Sequence, residues 1–149
     1  MIKHISFISI FILFFTAFVY ANELKITSHN LEVDRDKRIS IFTGNVYAYN
    51  IDIQIWSEKL IVKFNENDNK IQLISAENEV KIVREGITAT GNEGKYNPNE
   101  NTINMYGNVV VVENQNYVKS DELFLDLNNS TSIMRSNTSK RVEAFIASE

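Results

Sequence analysis

Cysteine is missing from this 149-residue chain. That excludes a disulfide framework and any thiolate metal site. Proline occurs once, as Pro98, inside the loop-like stretch Tyr96-Asn97-Pro98-Asn99-Glu100-Asn101. Alanine is sparse, and no stretch after Tyr20 keeps apolar residues at helical spacing, so a helical protein is excluded. A clustered basic face is also missing. Net charge is −4 with acids and bases interspersed, which argues against a nucleic-acid partner. What is abundant is Ile, Val, Thr, Tyr, Phe, Asn and Ser, the mixture of strands joined by polar turns. The length suits about one domain, and without cysteine its stability must come from burial and strand pairing.

The start of the chain reads as a targeting segment. Lys3 precedes an apolar run from Ile5 to Val19, and Val19-Tyr20-Ala21 supplies a cleavage-type exit before Asn22. The run is shorter than a spanning helix wants. The expectation is a secretory signal over residues 1–21 and an exported mature chain over 22–149. An uncleaved anchor is the competing reading.

From Leu24 onward the apolar period is two. Leu24-Lys25-Ile26, Leu31-Glu32-Val33, Ile51/Ile53/Ile55 and Leu60/Val62/Phe64 all alternate with polar or opposite-facing residues. Polar turns fall at Asp34–Arg38 and Asn65–Asn69. The expected strands are about five residues long, in a sandwich or an elongated roll. After Leu127 the pattern predicts two short terminal strands, with the pairing of the last left open.

Two motifs recur. Phe42-Thr43-Gly44-Asn45-Val46 returns as Met105-Tyr106-Gly107-Asn108-Val109 and, with asparagine for glycine, as Ala76-Glu77-Asn78-Glu79-Val80. A second motif begins at Ser28, Ser57, Gly91 and Ser120, so its copies are spaced 29, 34 and 29 residues apart. The first motif follows the same spacing, 34 and 29 between Gly44, Asn78 and Gly107. A unit of roughly 30 residues has room for four short strands, and such units stack into an extended sheet assembly. Gly and Asn tolerate φ > 0, so each first-motif copy reads as a tight turn or bulge. Phe42, Val46, Ala76, Val80, Met105 and Val109 share parity and face inward. Ser40 stands where the other copies have Ile74 and Ile103, which predicts a further bulge that shifts Ile39 and Ile41 by one.

Catalytic chemistry finds little support. His29 is the single histidine of the mature chain and sits at a turn between Ser28 and Asn30. The acid pairs Glu77/Glu79 and Asp121/Glu122 have no ligand-spaced partner, so solvated turns are the better reading. Trp56 suggests carbohydrate stacking, but its strand context favours half-buried packing. Tyr47 and Tyr49 lie on the face opposite Val46 and Ala48, as partner contacts or as cross-strand pairs. No catalytic residue, metal or cofactor is expected.

The ordered set Phe42–Val46, Ser57–Leu60, Ala76–Val80, Thr90–Tyr96, Tyr106–Val109, Ser120–Leu123 and Lys140–Val142 resembles the LptA/OstA-like family of lipopolysaccharide-transport domains across nearly the whole mature chain. Asn78 departs from it, since glycine is usual there. The resemblance implies an all-β antiparallel β-jellyroll, elongated and open at both ends, with an internal hydrophobic groove. It implies periplasmic localisation, lipopolysaccharide as cargo with acyl chains in the groove, and head-to-tail homo-oligomers bridging LptC-like and LptD-like homologous domains. The residues expected to line the groove are Leu31, Val33, Phe42, Val46, Leu60, Val62, Val80, Ile82, Ile103, Met105, Val109, Leu123 and Leu125; the alternative is that they are ordinary core. Ile26 and Phe145 mark the expected assembly edges. An anchored LptC-like subunit, a lipid-free β-solenoid scaffold and, more distantly, an enzyme acting on envelope glycans are the other readings.

Overall fold

Alternating sequence becomes long antiparallel strands. The computed structural model describes residues 23–137 and 139–148, so the expected signal segment lies outside the described residues. In chain order the strands are β1 (Lys25–Thr27), β2 (Asn30–Asp34), β3 (Ile39–Tyr49), β4 (Gln54–Phe64), β5 (Ile71–Arg84), β6 (Ile87–Asn97), β7 (Thr102–Glu113), β8 (Asn116–Asp126), β9 (Thr131–Arg135) and β10 (Glu143–Phe145). They form one open sheet in the order β1-β3-β4-β5-β6-β7-β8-β10, with β2 also paired to β3 and β9 also paired to β8. There is no helix among the described residues.

The expectation of five-residue strands is corrected. β3 to β8 run 11 to 14 residues each. What looked like a turn between two short strands is a bulge in the middle of one long strand. Register shifts fall between Thr43 and Val46, Trp56 and Lys59, Glu77 and Val80, Thr90 and Glu93, and Tyr106 and Val109. A bulge bends its strand and increases the local twist. Aligned across neighbours, these bends form a crease that folds the sheet lengthwise into two layers.

The two motifs supply the two chemistries of the crease. Gly44-Asn45, Asn78-Glu79 and Gly107-Asn108 are consecutive residues with positive φ, so asparagine does replace glycine with the backbone conformation kept. At Gly44 a Cβ atom would sit 2.9 Å from His29 Nδ1, which explains why the first copy has glycine rather than asparagine. The serine motif occupies the intervening corners. Ser28, Ser57 and Ser120 each donate from Oγ to the carbonyl two residues on, at 2.8, 3.0 and 2.9 Å. A bulge takes a carbonyl out of the ladder, and the hydroxyl satisfies it locally.

One layer holds β2, β9 and the segments around Phe42, Leu60, Ala76, Gly94, Met105 and Leu123. The other holds β1, β10 and the segments around Ala48, Ile55, Ile82, Ala89, Val111 and Val118. Side chains span the gap between them. A Cβ on Gly94 would meet Val80 Cγ1 at 3.2 Å and Ile82 Cδ1 at 3.5 Å, both from the other half of β5. Likewise Met105 Cε reaches across to within 3.3 Å of where a Gly91 Cβ would stand. Glycine at 91 and 94 lets large side chains of the facing layer fill the space. Leu60, Ile103, Met105, Val46, Val62, Val80 and Val109 are the largest fully enclosed side chains.

Two further expectations are corrected. Register through Ile39–Thr43 is continuous, so there is no extra bulge at Ser40. Ser40 pairs with Val62 and Val33 on the inward face, while Ile41 pairs with Ile61 on the outer one. Ile51 belongs to no strand and is exposed, because β4 begins only at Gln54. The Asn50 side chain closes that turn by accepting from Asp52 N and Ile53 N at 2.8 and 2.9 Å. The last strand, whose pairing sequence left open, is paired: β10 adds to β8, with Phe145 stacked on Tyr117 at 5.5 Å.

Candidate functional site: the trough between the layers

Strand register lines inward residues up in rows that run across the whole sheet. One row is Leu31, Phe42, Leu60, Ala76, Gly94, Met105, Leu123 and Met134. Beside it runs Val33, Ser40, Val62, Ile74, Tyr96, Ile103, Leu125 and Ser132. The facing layer contributes Ile26, Ala48, Ile55, Ile82, Ala89, Val111, Val118 and Ala144. None of these rows carries a charge. Such rows follow from the period-two alternation once bulges keep each half-strand in phase.

The trough is not uniform. Next to the crease, Val46, Leu60, Val62, Val80, Met105 and Val109 are buried as close-packed core, with Phe42 packed against it. Toward the C-terminal side the layers part around a cavity of about 350 Å³. Ile82, Ala89, Val111 and Val118 line it from one layer, and Ile103, Leu123, Leu125, Leu127 and Met134 from the other. Ligand sites span about 300–1,000 Å³. At about 30 Å³ per water-sized group, the cavity holds about a dozen such groups, one alkyl chain's worth.

Of the expected groove residues, Ile82, Ile103, Leu123 and Leu125 meet at this cavity. Leu31 and Val33 share the inward face by register but stand 56% and 57% exposed, because β2 ends the sheet and nothing in the described chain covers it. Ile26 is half-buried against the core from edge strand β1. Phe145 is 50% exposed and faces outward. Sequence reasoning missed Ala89, Val111, Val118, Leu127 and Met134. Parity would have found Val111 from Val109 and Leu127 from Leu125; Ala89 and Val118 become visible only through their cross-strand partners.

The outer surface is of a different kind. Tyr47 stacks on Tyr49 at 4.9 Å and on Trp56 at 5.0 Å, with the Lys81 ammonium 4.9 Å from the Trp56 ring centroid. Trp56 is half-buried in this cross-strand group, in keeping with packing. Ionisable groups mostly serve the turns. The backbone N–H of Lys37 holds the Asp34 carboxyl below its ordinary value, Asn137 N–H does so for Asp121, and the Asn129 amide for Asp126. No group of three or more His, Cys, Asp or Glu among the described residues is placed to hold a metal. No helix of the described residues is long and apolar enough to cross a membrane.

Where the layers meet away from the crease, the two lips are formed by hairpin loops. Among the described residues no hydrogen bond or ion pair joins lip to lip.

A folded antiparallel sheet, open at both ends around an uncharged apolar trough, defines the open-ended β-jellyroll. A family model described as LptA/(LptD N-terminal domain) LPS transport protein matches residues 25–131, and the chain belongs to that family. The fold is similar to the crystal structure of LptH, the LptA homologous periplasmic component of the conserved lipopolysaccharide transport device from Pseudomonas aeruginosa. That likeness has a TM-score of 0.76 at 12% identity and covers 85% of this chain and 96% of that one. A comparison with curated proteins finds no match.

Proposed function

We propose that this chain is a periplasmic carrier of lipopolysaccharide, holding acyl chains between the two layers and passing them along stacked domains of the same shape. The observation that supports this most directly is the set of uncharged inward rows that run from β1 and β2 to β9 and β10. Moving an acyl chain through water costs about 0.8 kcal/mol per CH₂, on the order of 10 kcal/mol for a dozen carbons. A transporter lowers that cost by offering apolar surface along the whole path, which a single enclosed pocket does not. Membership of a lipopolysaccharide-transport family supports the same reading.

Edge strands carry unpaired backbone groups and invite strand addition. Here each edge is built from two short strands, and Leu31 and Val33 extend the inward row past the last covered position. Contacts between unlike edges repeat without closing and give filaments. The partners in this reading are further copies of the chain and LptC-like and LptD-like domains at the two membranes, reached after removal of the signal over residues 1–21. Because the cavity has room for about one chain, a lipid with several chains enters by parting the lips, which no hydrogen bond or ion pair among the described residues fastens.

A photo-crosslinking residue at Leu125, on the cavity wall, is expected to capture lipopolysaccharide in transporting cells, whereas one at Val46, in the packed half, captures less. No lipid adduct at Leu125, together with lipid-free protein on native mass spectrometry of the periplasmic material, would overturn the reading in favour of a scaffold.

A further inference from the structure

The apolar cavity has a polar neighbour. A second cavity of about 400 Å³ lies between the lips and shares Arg84 and Leu127 with the first. Asn50, Asp52 and Arg84 come from one layer, and Tyr96, Asn99 and Asn101 from the other. An amphiphile whose chain lies in the first cavity therefore has its head in the second.

The donors and acceptors there are mostly uncharged. Asn50, on the cavity wall, uses its Oδ1 on two backbone amides, which leaves its NH₂ group as the available donor. Asn101 donates to Asn128 Oδ1 at 2.9 Å, which leaves its own side-chain Oδ1 as an acceptor, its backbone carbonyl being taken by Leu127 N. Tyr96 adds a half-buried ring with a phenol, whose pKa is pushed up first by burial and further by the nearby Asp52 carboxylate, against the opposing effect of Arg84. Amides, a phenol and a carboxylate beside an aromatic ring recognise vicinal hydroxyls and N-acyl groups, the polar groups of a sugar.

Charge narrows the class. Among the described residues Arg84 is the single cation lining either cavity, and its guanidinium lies 3.3 Å from the Glu85 carboxylate. Asp52, Glu85, Glu113 and Asp126 line the same two spaces. In the inter-lip cavity itself Asp52 stands against Arg84, and that guanidinium is already engaged by Glu85 of the adjoining cavity, so no uncompensated positive charge is left for a phosphate, which meets Asp52 instead.

We infer that the inter-lip cavity is a headgroup subsite for an uncharged, hydroxyl- or amide-bearing sugar, one that disfavours a phosphate at this position. This deepens the lipid-carrier reading and rests on it. The test uses the mature chain and three probes with the same alkyl chain, each below its micelle concentration: dodecyl maltoside, dodecyl phosphate and dodecanol. Displacement of a fluorescent fatty-acid probe reports binding.

The maltoside is expected to bind more tightly than the alcohol, and the phosphate more weakly than the maltoside. Tyr96→Phe combined with Asn99→Ala is expected to lower maltoside affinity about three- to tenfold, the worth of one or two neutral hydrogen bonds, and to leave dodecanol unchanged. Asp52→Asn is expected to tighten the phosphate probe selectively. Equal affinity for all three probes, or tightest binding of the phosphate, overturns the subsite and leaves the carrier intact. Binding of no probe overturns both. Equal losses for maltoside and dodecanol in the double variant would mean a structural effect and refute the sugar contact.

Discussion

Replacing Gly107 by alanine tests the crease, and with it the alignment of the rows that make the trough. Gly107 has φ +77°, and an added Cβ would collide with the Asn92 side-chain amide on the neighbouring strand. The left-handed conformation costs a residue with a Cβ about 1–2 kcal/mol. Pushing the Asn92 side chain off its rotamer adds about 0.5–1.5 kcal/mol. A total of about 2–3 kcal/mol, divided by a urea slope of about 1–3 kcal/mol per molar, lowers the unfolding midpoint by roughly 1 M. Gly86 is the control. It has φ +80° in the β5–β6 hairpin with nothing within 4 Å of the added atom, so Gly86→Ala carries the backbone cost alone. Urea denaturation followed by circular dichroism should rank wild type, Gly86→Ala and Gly107→Ala in falling midpoint. Adding Asn92→Ala to Gly107→Ala should remove the difference between the two alanine variants. If Gly107→Ala unfolds where wild type does, the bulge does not need a left-handed residue and the crease reasoning is wrong.

The other expectations are checked more simply. Leu31→Asp and Ile26→Asp place charge on the N-terminal edge and should reduce oligomer mass in light scattering while circular dichroism stays β-rich; unchanged assembly removes this edge from the interface. Asp34 and Asp126 are held below the ordinary carboxylate value of 3.8 by turn hydrogen bonds, and Asp121 by the backbone N–H of Asn137 beyond β9. A depressed pKa contributes stability that is present above about 3.8 and lost as pH falls through the lower folded value. Melting temperature should therefore drop below about pH 4, and Asp121→Asn should make that drop shallower; an unaltered slope would assign the acid sensitivity elsewhere. Mature protein from the periplasm should begin at Asn22 on N-terminal sequencing, and a start at Met1 would favour the anchored alternative.

Much of the fold was legible because its determinants are local. Alternation identified strands, Asn-rich stretches placed the turns, and the φ > 0 tolerance of Gly44, Asn78 and Gly107 marked the bends. Strand length was misjudged for a physical reason. A bulge and a hairpin turn use the same residues, and only hydrogen bonding on both sides distinguishes a bent strand from two strands. Ser40 misled in the same way. Its polarity suggested a slip, yet register to Val62 and Val33 holds it inward.

Burial was the least legible property. Leu31 and Leu60 have the same parity and the same motif position, Ser-x-x-Leu, but Leu60 is wholly enclosed and Leu31 is 56% exposed. The difference is the number of strands beyond each, which no local pattern records. By itself the sequence determined an all-β chain, the places where it bends and which side of each strand is apolar, because alternation and turn chemistry act over a few residues. Tertiary structure alone decided that the sheet folds on a common crease, that half the trough is packed and half is open, and that the polar lips lie beside it. Those depend on which half-strands face each other across the gap, a matter of distance in space between residues far apart in the chain.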